Sequence, residues 1–281
     1  MQALEVTLRN ALNEAVKSHQ GGIYVGDDWW FEHIATAIQD RKIKKMSAEK
    51  RKKWLKPDGT RRKQSFAEQS VLGISRALMR EGRIPLLHDD VISRLTFGYW
   101  VAVLGEEYED VTNKRLLWPN LLKVAFSNTP NAPKRARIEA ALKRIKELRN
   151  RMSHHEPIWK FYKPAANGEL DYSQPIYGLK TSIHMLERAY DEILEVVRWM
   201  SEARYQSFID GKLDIEFRKL CSIDGFYGFV NPSAIKNQVV RSRLKRDLYG
   251  RIHDVKSGSV VGVTRNSKTI CVLGVNEPGI K

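Results

Sequence analysis

One short segment gathers residue types that can cleave a phosphodiester. It reads Leu148-Arg149-Asn150-Arg151-Met152-Ser153-His154-His155-Glu156-Pro157-Ile158-Trp159. Arginine holds a phosphate through paired N–H donors and stabilises the charge that builds in the transition state. Histidine moves a proton between an attacking hydroxyl and a leaving oxygen. Asparagine can orient either group. Arg149, Asn150 and His154 are therefore the candidate catalytic residues. His155 fits the same spacing and stays open as the alternative proton carrier. Glu156 either pairs with a histidine or faces solvent. His155-Glu156 does not begin an HExxH zinc motif, because position 159 is Trp. Cys221 and Cys271 form no CxxC pair and are expected as free thiols. No metal and no cofactor are expected.

A regular helix must position these residues. Apolar spacing predicts it over residues 134–155, and Pro157 ends it by excluding the helical conformation just before it. At about 100° per residue, Ile138, Ala141, Leu142, Ile145, Leu148 and Met152 form one stripe. Arg149 falls inside that stripe. An arginine facing a core needs a partner or a wet cavity. Either it is ion-paired, with Glu5 as a candidate partner, or it points into a site for an anion. Asn150 and His154 are four apart and share a helix face. The histidines lie at the C-terminal end, where the helix dipole favours an imidazolium.

The charge balance points to a polyanion. The 281 residues carry 48 Lys and Arg against 33 Asp and Glu, a net charge of +15. Residues 41–63 hold twelve of those cations and two acids. Lys44, Lys45, Lys50, Arg51, Lys52, Lys53, Arg61, Arg62 and Lys63 would neutralise phosphates without choosing sequence, and Trp54 could stack on a base. Such dense like charge predicts an exposed arm or a loosely held helix, broken at Pro57-Asp58-Gly59.

The rest of the chain reads as mainly α. Helices are predicted from the first residues to Gly21-Gly22, from Asp27 or Asp28 through Ile38, over 66–80, from about Asp89 through Val103, around 116–126, and over 181–208. Residues 163–178 read as a loop. After Gly211 the texture changes to a basic helix over 233–249 and two strands, 260–263 and 269–273. The expected organisation is a helical domain over 1–210, with a basic insertion at 41–63, and a small α+β appendage over 211–281 ending in a β-hairpin. Trp29, Trp30, Trp100, Trp118 and Trp159 are expected in the core. No apolar run approaches the roughly 18–20 residues of a membrane span, and no signal peptide is expected. A soluble, cytoplasmic protein is the expectation.

The arginine-to-histidine segment, with Asn directly after the Arg, resembles the signature of HEPN-domain ribonucleases. The longer string through Ile158-Trp159 resembles their Abi-like branch, named for bacterial abortive infection of phage. Leu4-Glu5-Val6-Thr7-Leu8-Arg9-Asn10-Ala11-Leu12 is similar to the first helix of that branch. Trp29-Trp30, Thr96-Phe97-Gly98-Tyr99-Trp100-Val101 and Leu117-Trp118-Pro119 follow in the family's order, so the likeness covers residues 4–160. It implies a HEPN-like helical bundle that forms a homodimer and brings two motif helices together. It also implies metal-independent endoribonuclease activity, with the RNA 2′-hydroxyl as nucleophile, in anti-phage defence or as a toxin. Under that likeness Arg149 contacts the scissile phosphate, His154 is the acid and base, and Asn150 supports them. Arg9-Asn10 is either a surface pair, with Glu5 four residues before Arg9, or a support near the site. The expected partners are RNA (transfer, messenger or small RNA), a second copy, and an antitoxin or RNA regulator, with no membrane. The rival reading is a non-catalytic RNA-binding or protein-interaction module on the same fold.

Overall fold

The computed structural model describes residues 1–18, 29–59, 64–112, 116–158, 160–164 and 170–274. The chain forms two compact units. The first comprises Met1–Asn150 and Glu195–Glu202, and the second Arg151–Leu194 and Ala203–Lys281. The chain therefore crosses between units three times, rather than once near residue 210.

The first unit is helical. Its elements are α1 (Gln2–Ser18), α2 (Trp30–Lys44), α3 (Ala48–Trp54), α4 (Phe66–Arg80), α5 (His88–Arg94), α6 (Phe97–Ala102), a 3₁₀ turn at Glu106–Tyr108, α7 (Leu122–Ala125) and most of α8 (Arg135–Ser153). Its core is aromatic. Trp30, Trp100 and Trp118 are fully buried, with Tyr99, Phe31, Phe97 and Phe126. The indole N–H of each of these three has an acceptor: Trp30 donates to Asn13 Oδ1 (3.0 Å), Trp100 to the Leu95 carbonyl (3.2 Å) and Trp118 to the Val103 carbonyl (2.8 Å). An unsatisfied N–H at that depth would cost about 1–3 kcal/mol. Trp29 is half-buried. Trp159, Gly21-Gly22 and the expected cap at Asp27 or Asp28 lie outside the described residues.

Caps decide where these helices start. Ser65 and Glu68 close a reciprocal capping box on α4, with Ser65 N to Glu68 Oε2 at 2.8 Å and Glu68 N to Ser65 Oγ at 3.1 Å. The helix expected from Asp89 through Val103 is two helices. Leu95 and Thr96 turn extended between them, and the Thr96 side chain accepts from Tyr99 N to begin α6. Only α7 is α-helical within residues 116–126.

The second unit mixes helix and sheet. Strands β1 (Phe161–Pro164) and β2 (Leu170–Ile176) pair antiparallel where a loop was expected. Tyr162 and Tyr172 pack edge to face across them, 4.9 Å apart. The helix expected over 181–208 is two, α9 (Leu179–Met200), whose residues from Glu195 onward belong to the first unit, and α10 (Glu202–Asp210). Helices α11 (Leu213–Leu220) and α12 (Ile223–Val230) follow. They approach so closely at Gly225 that a Cβ there would lie 2.3 Å from the Lys219 carbonyl oxygen. The basic helix expected over 233–249 starts later. A strand, β3 (Gln238–Val240), precedes it, and α13 spans Arg241–Lys256. The expected hairpin is β4 (Val261–Arg265) and β5 (Lys268–Leu273). Its turn residues, Asn266 and Ser267, both have positive φ (49° and 61°), the geometry that matches strand twist in a two-residue hairpin. β3 joins β4 in parallel through α13, so the sheet order is β3-β4-β5. Among the described residues no helix is long and apolar enough to cross a membrane.

Candidate functional site

Helix α8 presents the candidate residues near its C-terminal end. Ile138, Ala141, Leu142 and Ile145 are buried as the stripe requires. The stripe then comes to the surface, with Leu148 half-buried and Met152 46% exposed. Arg149 lies on that emerging stretch. Its side chain is 40% exposed, so it is not the buried cation its angle on the helix predicts. Glu5, the candidate partner, stands 3.9 Å from Arg149 Nη2, an ion pair longer than a hydrogen bond. Asn150 is half-buried. Arg9 does not pair with Glu5. It donates to the Ser93 carbonyl (3.0 Å) and to Asn10 Oδ1 (3.4 Å), the latter on an exposed Asn10.

In the second unit the chain closes the end of α8. The helix stops at Ser153, two residues before the expected end, and His154 and His155 form the turn. His155 has φ 56°, the left-handed conformation that usually takes glycine. His155 N donates to the Met152 carbonyl (3.3 Å) and Glu156 N to the Arg151 carbonyl (2.8 Å). This is the Schellman arrangement, which satisfies carbonyls that a helix end leaves open. Both histidine side chains are exposed. The backbone role falls on His155, and His154 stands one residue before it.

The arginine buried in this segment is Arg151. Only 9% of it is exposed, and its guanidinium donates to the carbonyls of Pro157 and Lys160. It also lies over the Phe161 ring, 5.9 Å from the centroid. Glu156 approaches its Nε at 4.0 Å, so Glu156 faces this arginine rather than a histidine. The sequence holds a faint signal for this. Residues after Pro157 cannot continue the helix, so their carbonyls need donors, and Arg151 is the nearest long cation.

A second missed cation is Arg135, in the first unit. Its side chain, 11% exposed, donates to Glu109 Oε2 (2.8 Å), the Leu104 carbonyl (2.8 Å) and Glu139. Lys143 completes the group 2.7 Å from Glu139. Burial works to raise the Glu139 pKa, but hydrogen bonds from Lys143 and Arg135 outweigh it and hold the carboxyl below its ordinary value.

The described part of the basic segment is helical over Arg41–Lys44 and Ala48–Trp54 and non-helical at residues 45–47 and 55–59. The end of α2 and all of α3 carry it, and Ser47 caps α3 by accepting from Lys50 N. Arg41 donates to the Glu109 carbonyl (3.1 Å) and Lys42 pairs with Glu107, so these two are tied to the fold. Arg51 is also engaged, donating to the carbonyls of Lys44 and Met46 at 3.3 Å each, open groups at the end of α2. Lys44, Lys45, Lys50, Lys52 and Lys53 are exposed and have no ion pair among the described residues. Trp54 is half-buried. Arg61, Arg62 and Lys63 lie outside the described residues. Among the described residues no group of three or more His, Cys, Asp or Glu side chains could hold a metal ion. Cys221 and Cys271 are free thiols.

No family model, curated protein or solved structure matches this chain.

Proposed function

We propose that the protein is an endoribonuclease of the HEPN type, cutting RNA without a metal ion by attack of the 2′-hydroxyl on the adjacent phosphate. The observation that carries the reading is the end of α8. Within six residues it offers a partly exposed guanidinium, a half-buried amide and an exposed imidazole. In this reading Arg149 holds the phosphate and His154 takes and returns the proton. His154 is preferred to His155 because the latter residue builds the helix terminus. Asn150 supports one of the two. Arg149 belongs to α8 and His154 to the turn that follows it, and in this reading a second copy of the chain supplies the complementary group in a homodimer. The likeness to the Abi-like branch extends the proposal to anti-phage defence or a toxin role.

The test is cleavage of total bacterial RNA in EDTA, with the 3′ ends identified. Wild type is expected to leave cyclic phosphate ends. His154→Ala and Arg149→Ala should each fall about 10²-fold or more, the usual size of a general acid–base or charge-stabilising contribution. Undiminished cleavage in both variants overturns the assignment.

The exposed lysines Lys44, Lys50, Lys52 and Lys53, without an ion pair among the described residues, favour a second reading, RNA binding without cleavage. It predicts salt-sensitive binding, with no cut ends at any pH.

A further inference from the structure

The second unit carries a charged face that the proposed nuclease reading does not use. Helix α13 packs on the sheet through a narrow stripe. Val255 joins Val239, Val261 and Val263 in a small core, and Leu244 packs against it. At about 100° per residue, Leu244 and Val255 lie within about 20° of each other. The opposite side of the helix, an arc of about 100°, contains Ser242, Lys245, Arg246, Tyr249, His253 and Lys256. All six are exposed. The two carboxylates of the helix, Asp247 and Asp254, fall outside that arc, and Asp254 is held by Arg251 at 3.0 Å.

This segregation is not what a merely solvated helix shows. Solvated helices mix signs and form pairs three or four residues apart. Lys245, Arg246 and Lys256 have no ion pair among the described residues. Amid these cations stands an aromatic ring, with Tyr249 88% exposed. Lys245, Arg246 and His253 are its neighbours at positions i−4, i−3 and i+4. A ring with cations around it offers a stacking surface beside a track for phosphates. From Lys245 to Lys256 the helix rises about 16 Å, a span that covers several nucleotides of a single strand.

We propose that this face of α13 binds single-stranded nucleic acid, with Lys245, Arg246 and Lys256 on phosphates and Tyr249 beneath an unpaired base. A duplex hides its base faces and leaves the tyrosine without a role. An anionic membrane would need a free apolar side to bury. On α13 the apolar side chains Leu244 and Val255 are already packed on the valines of the sheet, which leaves Leu248 as its exposed aliphatic residue.

The test uses the full-length protein and a labelled single-stranded DNA oligonucleotide. It has no 2′-hydroxyl, so the result is independent of any ribonuclease activity. Fluorescence anisotropy is read across a salt series. The triple variant Lys245→Ala/Arg246→Ala/Lys256→Ala should bind more weakly, with a salt slope reduced by about 2, at about 0.7 per phosphate contact. Tyr249→Ala should weaken binding on the order of tenfold without changing the slope. Tyr249→Phe should bind as wild type, and so should Asp247→Asn on the far flank. Wild-type affinity and slope in both the triple variant and Tyr249→Ala overturn the proposal. Displacement by duplex DNA or by anionic vesicles as readily as by unlabelled single strand also overturns it.

Discussion

The Arg151 guanidinium donates to the carbonyl of Pro157, six residues further on, and this bond folds the chain back beneath the turn that holds His154 and His155. A second donation, to Lys160, fixes the same turn from its far side. Removing the guanidinium strands two carbonyls. Arg151→Ala should therefore destabilise the protein by about 1–3 kcal/mol, the usual size of hydrogen bonds to a charged group. Lysine cannot reach both acceptors in a fixed fork, so Arg151→Lys should recover less than half of the loss. Urea unfolding of the two variants checks this. Equal stability in wild type and Arg151→Ala would show that the bonds contribute nothing net.

His155 is a residue with a side chain where the backbone asks for none. A left-handed conformation costs an ordinary L-residue roughly 1–2 kcal/mol relative to glycine. His155→Gly should raise stability by up to about 1 kcal/mol, and a β-branched His155→Val should lower it by a similar amount. If the nuclease reading holds, His155→Gly also keeps its cleavage while His154→Ala loses it. Reversal of that pattern would move the catalytic assignment from one histidine to the other.

Much of this arrangement was legible in the sequence. The apolar stripe of α8 foretold Ile138, Ala141, Leu142 and Ile145 in the core, and Glu5 was a candidate counter-ion under one of two readings of Arg149. The paired strands at the C-terminal end also follow from β-rich runs flanking a turn. Other features were hidden because they depend on contacts far along the chain. Angle on a helix places Arg149 toward the core, but it cannot say where the neighbouring elements stop. Arg151 lies off the apolar stripe, and only the folded return after Pro157 gives it acceptors. Pro164 and Pro175 disguised β1 and β2 as loop. For the basic segment like-charge repulsion left an exposed arm or a loosely held helix open, and Ser47 capping with Arg51 at the end of α2 supports helix over Ala48–Trp54.

Glu139 gives stability a pH dependence. Its folded pKa lies below the unfolded value despite burial, owing to Lys143 and Arg135. The ionised form is therefore favoured by folding, and that contribution is fully present above the unfolded pKa. It is lost as pH falls through the folded pKa. Glu139→Gln should lower stability at neutral pH and flatten the decline on the acid side. Thermal melts from neutral to acidic pH, compared between wild type and variant, measure it. A parallel pair of curves would mean that this carboxyl does not titrate differently in the two states.

The two thiols should differ in reactivity. Burial, with a smaller effect from Glu187, pushes the Cys221 thiol up to about 11, and its sulfur lies 3.7 Å from the Ile183 carbonyl. Little thiolate forms there near neutral pH. Cys271 is exposed. Alkylation by iodoacetamide at pH 8, followed by peptide mass mapping, should label Cys271 well before Cys221. The opposite order would show that the Cys221 region opens faster than its burial implies.

The Glu5–Arg149 pair makes a sharper demand on the nuclease reading. At 3.9 Å, with both side chains partly exposed, it is a weak pair, worth about 0.2–1 kcal/mol. Yet the carboxylate competes with phosphate for the same guanidinium. Glu5→Gln should cost little stability and should release Arg149 for substrate. Affinity for RNA should then rise by about 1.5- to 5-fold, the same energy read as a binding ratio. The gain should appear in KM and should vanish in the double variant Glu5→Gln/Arg149→Ala. An equal gain with and without Arg149 would mean that Glu5 acts only through net charge. No gain in either would mean that Glu5 does not compete with phosphate for Arg149.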